Sequence, residues 1–147
     1  MTHPTKSDAL ATEDANRAIV AAAFENWKQG KGNIFLDLLT EQASWTIAGA
    51  SVASRTYASR AEFMDDVIKP FNARLTRGLV PTVKGLYAEG DAVIILFDAE
   101  AVARDGQPYR NSYAWFFTMS GGKVVTATAF FDSIVFDDFW RRVSPAG

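Results

Sequence analysis

The sequence is poor in the residues that enzymes most often use for nucleophilic and metal chemistry. Its 147 residues include no cysteine and a single histidine, His3. Without cysteine, disulfides, thiolate nucleophiles and Cys-ligated metals are all excluded. We expect His3 to lie in a disordered tail, whereas a Ser-His-Asp triad or a multi-histidine zinc site needs histidine inside the fold. We therefore expect neither a metal nor another cofactor.

Two further absences bear on the partners of the chain. The formal net charge is −2, with 15 Lys and Arg against 17 Asp and Glu, so there is no basic surplus to bind nucleic acid. No apolar run approaches the roughly 20 residues that span a bilayer, and the N-terminal segment lacks the apolar core of a signal peptide. These observations predict a soluble, cytoplasmic protein with no nucleic-acid or membrane partner.

The remaining composition is that of one folded domain. Hydrophobic residues make up 48% and charged residues 22% of the chain, which is typical of globular proteins. A length of 147 residues suits a single domain that can bury a core and still enclose a pocket. We predict a flexible tail over residues 1–11 and a single domain over residues 12–147.

Two substantial helices are predicted in the first half of the domain. The first starts at a cap provided by Thr12 or Asp14, and its apolar stripe ends at Trp27. The second opens with the capping box Ser59–Glu62, in which the serine and glutamate side chains satisfy each other's backbone amides. We expect Pro70 to kink this second helix, because proline lacks an amide hydrogen and its ring clashes with the preceding turn.

The last third of the chain contains three β-rich runs joined by two tight turns. The runs are Ala92–Ala103, Pro108–Met119 and Lys123–Asp132, and the turns are Asp105-Gly106 and Gly121-Gly122. Earlier strands are predicted at Ala43–Ile47 and Pro81–Ala88, and a last helical turn at Asp138–Val143. Helices that precede antiparallel strands predict an α+β fold, in which a bent sheet packs against the helices as a cone open at one end.

Alternation along the strands assigns the two faces of this sheet. Period two places Phe97 on one face of its strand, and Asn111, Tyr113 and Trp115 on one face of the next. The predicted outer-face residues are Ile94, Leu96, Ser112, Ala114 and Phe116. An exposed apolar face of this kind needs a cover, which predicts a homodimer through the outer face. Parity alone leaves open which way Asp132 points.

Short motifs in these strands resemble those of a known family. Gly106–Tyr113 is similar to a Gly-x-x-Tyr-x-Asn-x-Tyr pattern, and Gly122–Val125 followed by Phe130-Phe131-Asp132 is similar to the end of the same family's sheet. With the order of the elements, these motifs resemble the nuclear transport factor 2-like superfamily and, within it, the SnoaL-like, ketosteroid-isomerase-related proteins. The resemblance covers about Asn16 to Val143. It implies a cone-shaped, cystatin-like fold with a deep pocket, commonly as a homodimer.

The resemblance also implies roles for particular positions. In SnoaL-type cyclases an aspartate at the end of the last long strand is the general acid/base, and the matching residue is Asp132. Other catalytic groups of the superfamily are missing from this chain. The steroid-isomerase base matches a position near Ile47, where no acid lies, and the Arg and Asp of limonene epoxide hydrolase match Phe97 and Ala99. Steroid isomerisation and epoxide opening by those constellations are therefore disfavoured.

The predicted pocket is mostly aromatic with a few polar groups, the usual make-up of a small-molecule site. Its expected lining residues are Trp45, Tyr57, Phe63, Val67, Phe97, Asn111, Tyr113, Trp115, Phe130 and Asp132. One hypothesis is proton abstraction next to a carbonyl by a desolvated Asp132, with the enolate oxygen held by Tyr113 or Asn111. The alternatives are that Asp132 bonds a loop amide or a tyrosine hydroxyl and only shapes the cup, and that the cup binds a hydrophobic small molecule without catalysis.

Overall fold

The computed structural model describes residues 5–147, so His3 and the rest of residues 1–4 lie outside the described part of the chain. The α-helices are α1 (Lys6–Lys28), α2 (Ile34–Leu38), α3 (Arg60–Phe63), α4 (Lys69–Asn72) and α5 (Ser133–Arg142), and a π-helical segment (Met64–Ile68) joins α3 to α4. The strands are β1 (Leu39–Ile47), β2 (Thr56–Tyr57), β3 (Leu75–Glu89), β4 (Ala92–Ala103), β5 (Pro108–Ser120) and β6 (Lys123–Phe131).

Helix α1 begins earlier than its apolar stripe indicates. Its first residue is Lys6, not a residue after Thr12, so a helix replaces the predicted tail from that point onward. The start is fixed by a capping box in which the Thr5 hydroxyl accepts from the Asp8 amide at 3.1 Å and the Asp8 carboxylate accepts from the Thr5 amide at 3.2 Å. The first turns are exposed, which is why no apolar periodicity marks them.

The six strands form one curved, open sheet in the order β2-β1-β6-β5-β4-β3. Neighbours from β3 to β6 are antiparallel, as predicted, whereas β1 runs parallel to β6. Helix α1 packs across β3 and β4, and the segment from α3 to α4 lies over the other half of the same face. The α+β cone predicted from the sequence is confirmed, with the core between the helices and the inner face of the sheet.

The turn between β5 and β6 fixes the register of that hairpin. Gly121 and Gly122 both have positive φ, 59° and 78°, in a two-residue loop between the paired residues Ser120 and Lys123. Such a loop twists in the same sense as the flanking strands and strongly favours glycine at both positions.

A bulge in β6 decides which of its side chains face inward. Met119 pairs with Val124, where an unbroken ladder would pair it with Val125. Val124 is fully buried, so without this extra residue the same parity would carry Phe130 and Asp132 to the inner side. With the bulge, Phe131 faces inward, and Phe130 is 49% exposed on the outer face.

The chain accommodates Pro70 by changing helix type. The π-helical segment Met64–Ile68 comes directly before α4, in which Pro70 occupies one of the first positions. Proline there would otherwise leave a helical carbonyl without its partner and press its ring against the preceding turn. The wider turn keeps Phe63, Val67 and Phe71 buried on one side of the composite helix.

Helix α5 closes the narrow end of the cone and is longer than the predicted turn at Asp138–Val143. It starts directly after β6 and is held by Arg74, a buried side chain whose guanidinium donates to the carbonyls of Pro70, Trp140 and Val143. The same guanidinium stacks on the Trp140 ring at 3.9 Å. Within residues 5–147, no helix has the length and apolar character needed to cross a membrane.

Candidate functional site

A cavity of about 600 Å³ lies between the helices and the inner face of the sheet. This volume is within the range of small-molecule sites. Its aromatic lining residues are Trp27, Phe35, Trp45, Phe63, Phe71, Tyr113, Trp115, Phe131 and Phe136. The rings pack on one another: Trp45 stacks on Phe63 at 4.4 Å between ring centroids, and Trp27 stacks on Trp115 at 5.9 Å. The walls are therefore flat, apolar and mutually supported.

Half of the predicted lining residues reach this cavity. Those that line it are Trp45, Phe63, Val67, Tyr113 and Trp115. Tyr57 is buried behind Phe63 and donates its hydroxyl to the Ala53 carbonyl at 2.7 Å. Phe97 lies one layer further back, where its ring stacks on Tyr113 at 5.0 Å. Tyr57 and Phe97 thus support the wall without forming its surface.

Phe130 is a correction to the predicted lining. Its ring lies on the outer face of the sheet and packs edge-to-face on Phe116 at 5.6 Å. Its neighbour Phe131 takes the inner position, because the bulge in β6 shifts the alternation by one residue. The adjacent pair of phenylalanines offered the correct type of side chain, but no local signal in the sequence distinguishes which of the two points inward.

The mouth of the cavity contains residues that the sequence reasoning missed. The first part of β3 curls over the opening, because two register shifts against β4 occur between Leu75 and Val80. Lys28 at the end of α1 and Asn33 at the start of α2 lie on the opening as well. Sequence alternation could not identify the β3 residues, because the irregular ladder interrupts the period-two pattern there.

Tyr113 is the polar side chain that the inner face of the sheet brings to the cavity. Its hydroxyl lies 2.7 Å from that of Tyr109, which is four residues earlier on the same strand and on the same face. The Asn111 amide nitrogen donates to the Tyr109 hydroxyl at 2.9 Å and to the Asp132 carbonyl at 3.1 Å. Asn111 is only 6% exposed and uses both of its donor hydrogens in this way, so it positions the tyrosines and has no donor left for a ligand.

Burial of Tyr109 indicates which of the two tyrosine hydroxyls donates to the other. Tyr109 is 1% exposed, and its ring packs against Phe71 and Phe139. Because its oxygen already accepts from Asn111, its own proton must go to the Tyr113 oxygen or remain unpaired, which costs about 1–3 kcal/mol. This cost favours the arrangement in which the Tyr109 hydroxyl donates to Tyr113, which leaves the Tyr113 proton available to a further acceptor.

Both phenols are neutral near pH 7. Burial raises the pKa of Tyr109 to about 12, and the nearby Asp132 carboxylate adds to the rise. Burial also holds the pKa of Tyr113 well above its usual value, with a further contribution from Tyr109. Tyr113 consequently keeps a hydroxyl proton that it can donate, and the hydrogen bonds behind it strengthen that donor.

Asp132 does not have the desolvated position that was expected. Its side chain is exposed and caps α5, with one carboxylate oxygen accepting from the amides of Ile134 at 3.0 Å and Val135 at 3.3 Å. It lines an open, charged groove on the other side of the sheet end together with Lys84 and Arg110. Among the described residues that line the main cavity, none is Asp, Glu or His.

The three side chains of the catalytic hypothesis, Asn111, Tyr113 and Asp132, therefore do not all meet in the cavity. Tyr113 reaches the cavity, Asn111 lies behind it, and Asp132 joins them through its backbone rather than its carboxylate. The Asp132 carboxylate bonds the first amides of α5, rather than the loop amide or tyrosine hydroxyl that the alternative named.

Comparisons with known proteins agree with this architecture. The sequence model of the SnoaL-like domain matches residues 20–127. Bal32a from a soil-derived mobile gene cassette superposes with a TM-score of 0.72 at 20% identity, covering 88% of this chain and 99% of that chain. For an NTF2-like protein from Burkholderia thailandensis E264 the TM-score is 0.68 at 20% identity, with coverages of 82% and 93%.

TerC, co-crystallised with polyporic acid, gives a TM-score of 0.70 at 16% identity, covering 86% of this chain and 98% of that chain. A search of curated proteins gives no match. The three structural likenesses, all below 25% identity, establish the fold alone. The family match spans well over half of the sequence. The chain belongs to the SnoaL-like domain family, and its fold is that of the nuclear transport factor 2-like proteins.

Proposed function

We propose that this protein binds a hydrophobic small molecule in the aromatic cavity, with the Tyr113 hydroxyl donating a hydrogen bond to an oxygen atom of that molecule. One observation carries the proposal: Tyr113, at the end of the Asn111–Tyr109–Tyr113 series of hydrogen bonds, lines a mostly aromatic cavity. A buried donor of this kind selects ligands that present a carbonyl or similar acceptor at the matching depth. TerC, crystallised with polyporic acid, has the same fold and supports this class of ligand.

The experiment uses prodan, a fluorescent naphthalene ketone whose emission responds to hydrogen bonding at its carbonyl. Tyr113→Phe should weaken prodan binding about fivefold, the value of one ordinary hydrogen bond, and shift its bound emission to the blue. Phenylnaphthylamine, which has no carbonyl, should bind the variant and the wild type equally. Tyr87→Phe on the exposed part of β3 is the matched control. Prodan affinity and emission that are indifferent to Tyr113→Phe would contradict the proposal.

A second candidate function is acid/base catalysis of the isomerase, cyclase or dehydratase type on an apolar carbonyl compound through Asp132. The observation that favours it is the pair of hydrogen bonds by which Asn111 ties the Asp132 backbone to the tyrosine pair. For catalysis, the carboxylate must leave the amides of Ile134 and Val135 and turn toward the cavity. Tyr113 would then hold the enolate oxygen.

Proton abstraction can be measured directly as hydrogen–deuterium exchange next to the carbonyl of 2-tetralone, followed by NMR in heavy water. Exchange that the wild type accelerates and Asp132→Asn does not would support Asp132 as the base. Asparagine also caps helices, so this substitution keeps α5 in place. Asp91→Asn, in the turn before β4, is the control. Exchange no faster than in buffer would leave the binding cup as the function.

We also propose that the protein is a homodimer through the outer face of the sheet. Leu96, Phe116 and Phe130 are 42%, 40% and 49% exposed on adjacent strands. Phe116 and Phe130 contact each other, so they form a continuous apolar surface rather than isolated side chains. A second copy of the chain would cover this surface and leave the cavity, on the opposite face, open to ligand.

A further inference from the structure

Two cationic side chains lie on the mouth of the main cavity. Lys28 is the last residue of α1, and Arg77 lies in the irregular part of β3 that curls over the opening. Both side chains are exposed. Within residues 5–147, neither has a carboxylate oxygen within ion-pair distance, whereas Arg55, Arg110 and Arg142 each do.

The residues at the opening carry positive charge, although the formal net charge of the whole chain is −2. Acidic residues outnumber basic ones by 17 to 15 in the whole sequence, yet the lining holds two cations and, among the described residues, no acid. Asp37 is an acid near the rim: a methyl group on Gly32 would lie 2.7 Å from its carboxylate. It does not line the cavity, and no ion pair joins it to Lys28 or Arg77 within residues 5–147.

A purely structural reason accounts for only one of the two cations. Lys28 lies in the last turn of α1, where a positive charge stabilises the carboxyl end of any helix. Arg77 lies in an edge strand, has no helix terminus to stabilise and has no acidic partner within the described residues. A charge anywhere along an edge strand discourages pairing with another chain, so that role does not account for the position of Arg77 over the aromatic cavity.

We propose that the ligand is an amphipathic monoacid: an apolar, largely aromatic body occupies the cavity, and a carboxylate or similar anionic group meets Lys28 and Arg77 at the mouth. This inference rests on the proposed binding function and adds the class of ligand. Such a molecule would be held at both ends, by the Tyr113 hydroxyl inside and by two cations outside. The low-dielectric walls on one side of the cations strengthen their attraction for an anion.

The test uses two fluorescent probes that differ only in charge. Anilinonaphthalene sulfonate carries one anionic group, and phenylnaphthylamine is the same ring system without it. Lys28→Gln and Arg77→Gln should each weaken binding of the sulfonate about fivefold and leave binding of the uncharged parent unchanged. High salt should weaken only the sulfonate. The matched controls are Lys6→Gln and Arg141→Gln, two exposed cations that neither line the main cavity nor adjoin a lining residue in the sequence.

The outcomes separate this inference from the function on which it rests. If the rim variants leave the sulfonate unaffected, or weaken both probes equally, the anionic ligand class is wrong while the binding cup stands. If neither probe binds, or if both still bind after the cavity is blocked by Ala129→Leu, the proposed function itself fails. The uncharged parent also serves as the folding control, because it requires an intact cavity.

Discussion

The Asn111 side chain makes two hydrogen bonds to the backbone of Asp132. Its amide nitrogen donates to the Asp132 carbonyl at 3.1 Å, and its oxygen accepts from the Asp132 amide at 3.0 Å. This pair of bonds continues the pairing of β5 with β6 past the last residue of β6 and sets the point at which α5 begins. The same amide orders the hydroxyl of Tyr109, so one buried side chain links the end of the sheet to the cavity.

Asn111→Ala should therefore be strongly destabilising. It removes hydrogen bonds to Tyr109 and Asp132 and leaves buried polar groups unpaired, which costs about 2–4 kcal/mol in the free energy of unfolding. Urea unfolding followed by tryptophan fluorescence measures the loss. Asn26→Ala, an exposed asparagine on α1, should cost less than about 1 kcal/mol. If Asn111→Ala lowers the free energy of unfolding no more than Asn26→Ala does, the Asn111 hydrogen bonds contribute nothing to stability.

Because burial raises the pKa of Tyr109 and Tyr113, we predict that the free energy of unfolding falls at high pH. Because burial raises the pKa of Tyr109 to about 12, the unfolded chain loses this proton near pH 10 and the folded chain keeps it. The stabilisation is fully present below pH 10 and is lost as pH rises toward 12, by about 2 kcal/mol for this one group.

Tyr109→Phe isolates the contribution of that group. Between pH 9 and pH 12 the variant should lose about 2 kcal/mol less unfolding free energy than the wild type. The exposed Tyr87, replaced by phenylalanine, is the control and should lose as much as the wild type. Parallel stability curves for the wild type and the Tyr109 variant would show that the buried hydroxyl titrates normally.

The capping role of Asp132 can be separated from any chemical role. Asp132→Ala removes the acceptor of the Ile134 and Val135 amides and should cost about 1 kcal/mol in unfolding free energy. Asp132→Asn should cost only a few tenths of that, because asparagine is as good a cap. Chemical denaturation measures both. If both variants lose the same free energy of unfolding, the negative charge of Asp132, and not its hydrogen bonds to the α5 amides, stabilises the folded protein.

The sheet was predictable because turn chemistry and alternation are local signals. Gly121-Gly122 can adopt positive φ at both positions, which marks the turn between β5 and β6. Buried and exposed residues alternate cleanly along β4 and β5, so the inner face of these two strands follows from the sequence. The burial of Phe97, Tyr113 and Trp115 confirms that reading. The fold class followed from the order of helices and strands and from the resemblance to the family.

The site was less predictable because non-local features decide it. The bulge at Val125 exchanges the faces of Phe130 and Phe131, and nothing in a run of small and β-branched residues announces it. The role of Asp132 depends on where β6 stops. An aspartate followed by apolar residues at helical spacing, including Phe136 and Phe139, is the pattern of a capped helix. The predicted strand Lys123–Asp132 includes this aspartate, so it conflicts with that pattern.

The outer face makes a prediction about assembly. Phe130→Glu places a charge in the centre of the apolar surface formed with Phe116 and Leu96 and should convert a dimer into a monomer at micromolar concentration. Analytical ultracentrifugation measures the change. Ile134→Glu is the matched control, since this side chain is 83% exposed on α5 and is not one of the three residues that form the apolar surface. A wild-type protein that sediments as a monomer would remove the proposed interface.

Filling the cavity gives the most direct test of where ligands bind. Ala129 is a buried residue of β6 that lines the cavity, so the larger side chain of Ala129→Leu is expected to extend into the cavity. We expect the free energy of unfolding to fall by about 1–3 kcal/mol, the usual cost of extra methylene groups at a buried site. Binding of phenylnaphthylamine should fall at least tenfold, since its rings need the space that the leucine occupies. Ala22→Leu on the exposed side of α1 is the control and should change neither quantity. If the probe binds the Ala129 variant as tightly as the wild type, it binds elsewhere on the molecule, and the outer apolar face would be the first surface to examine.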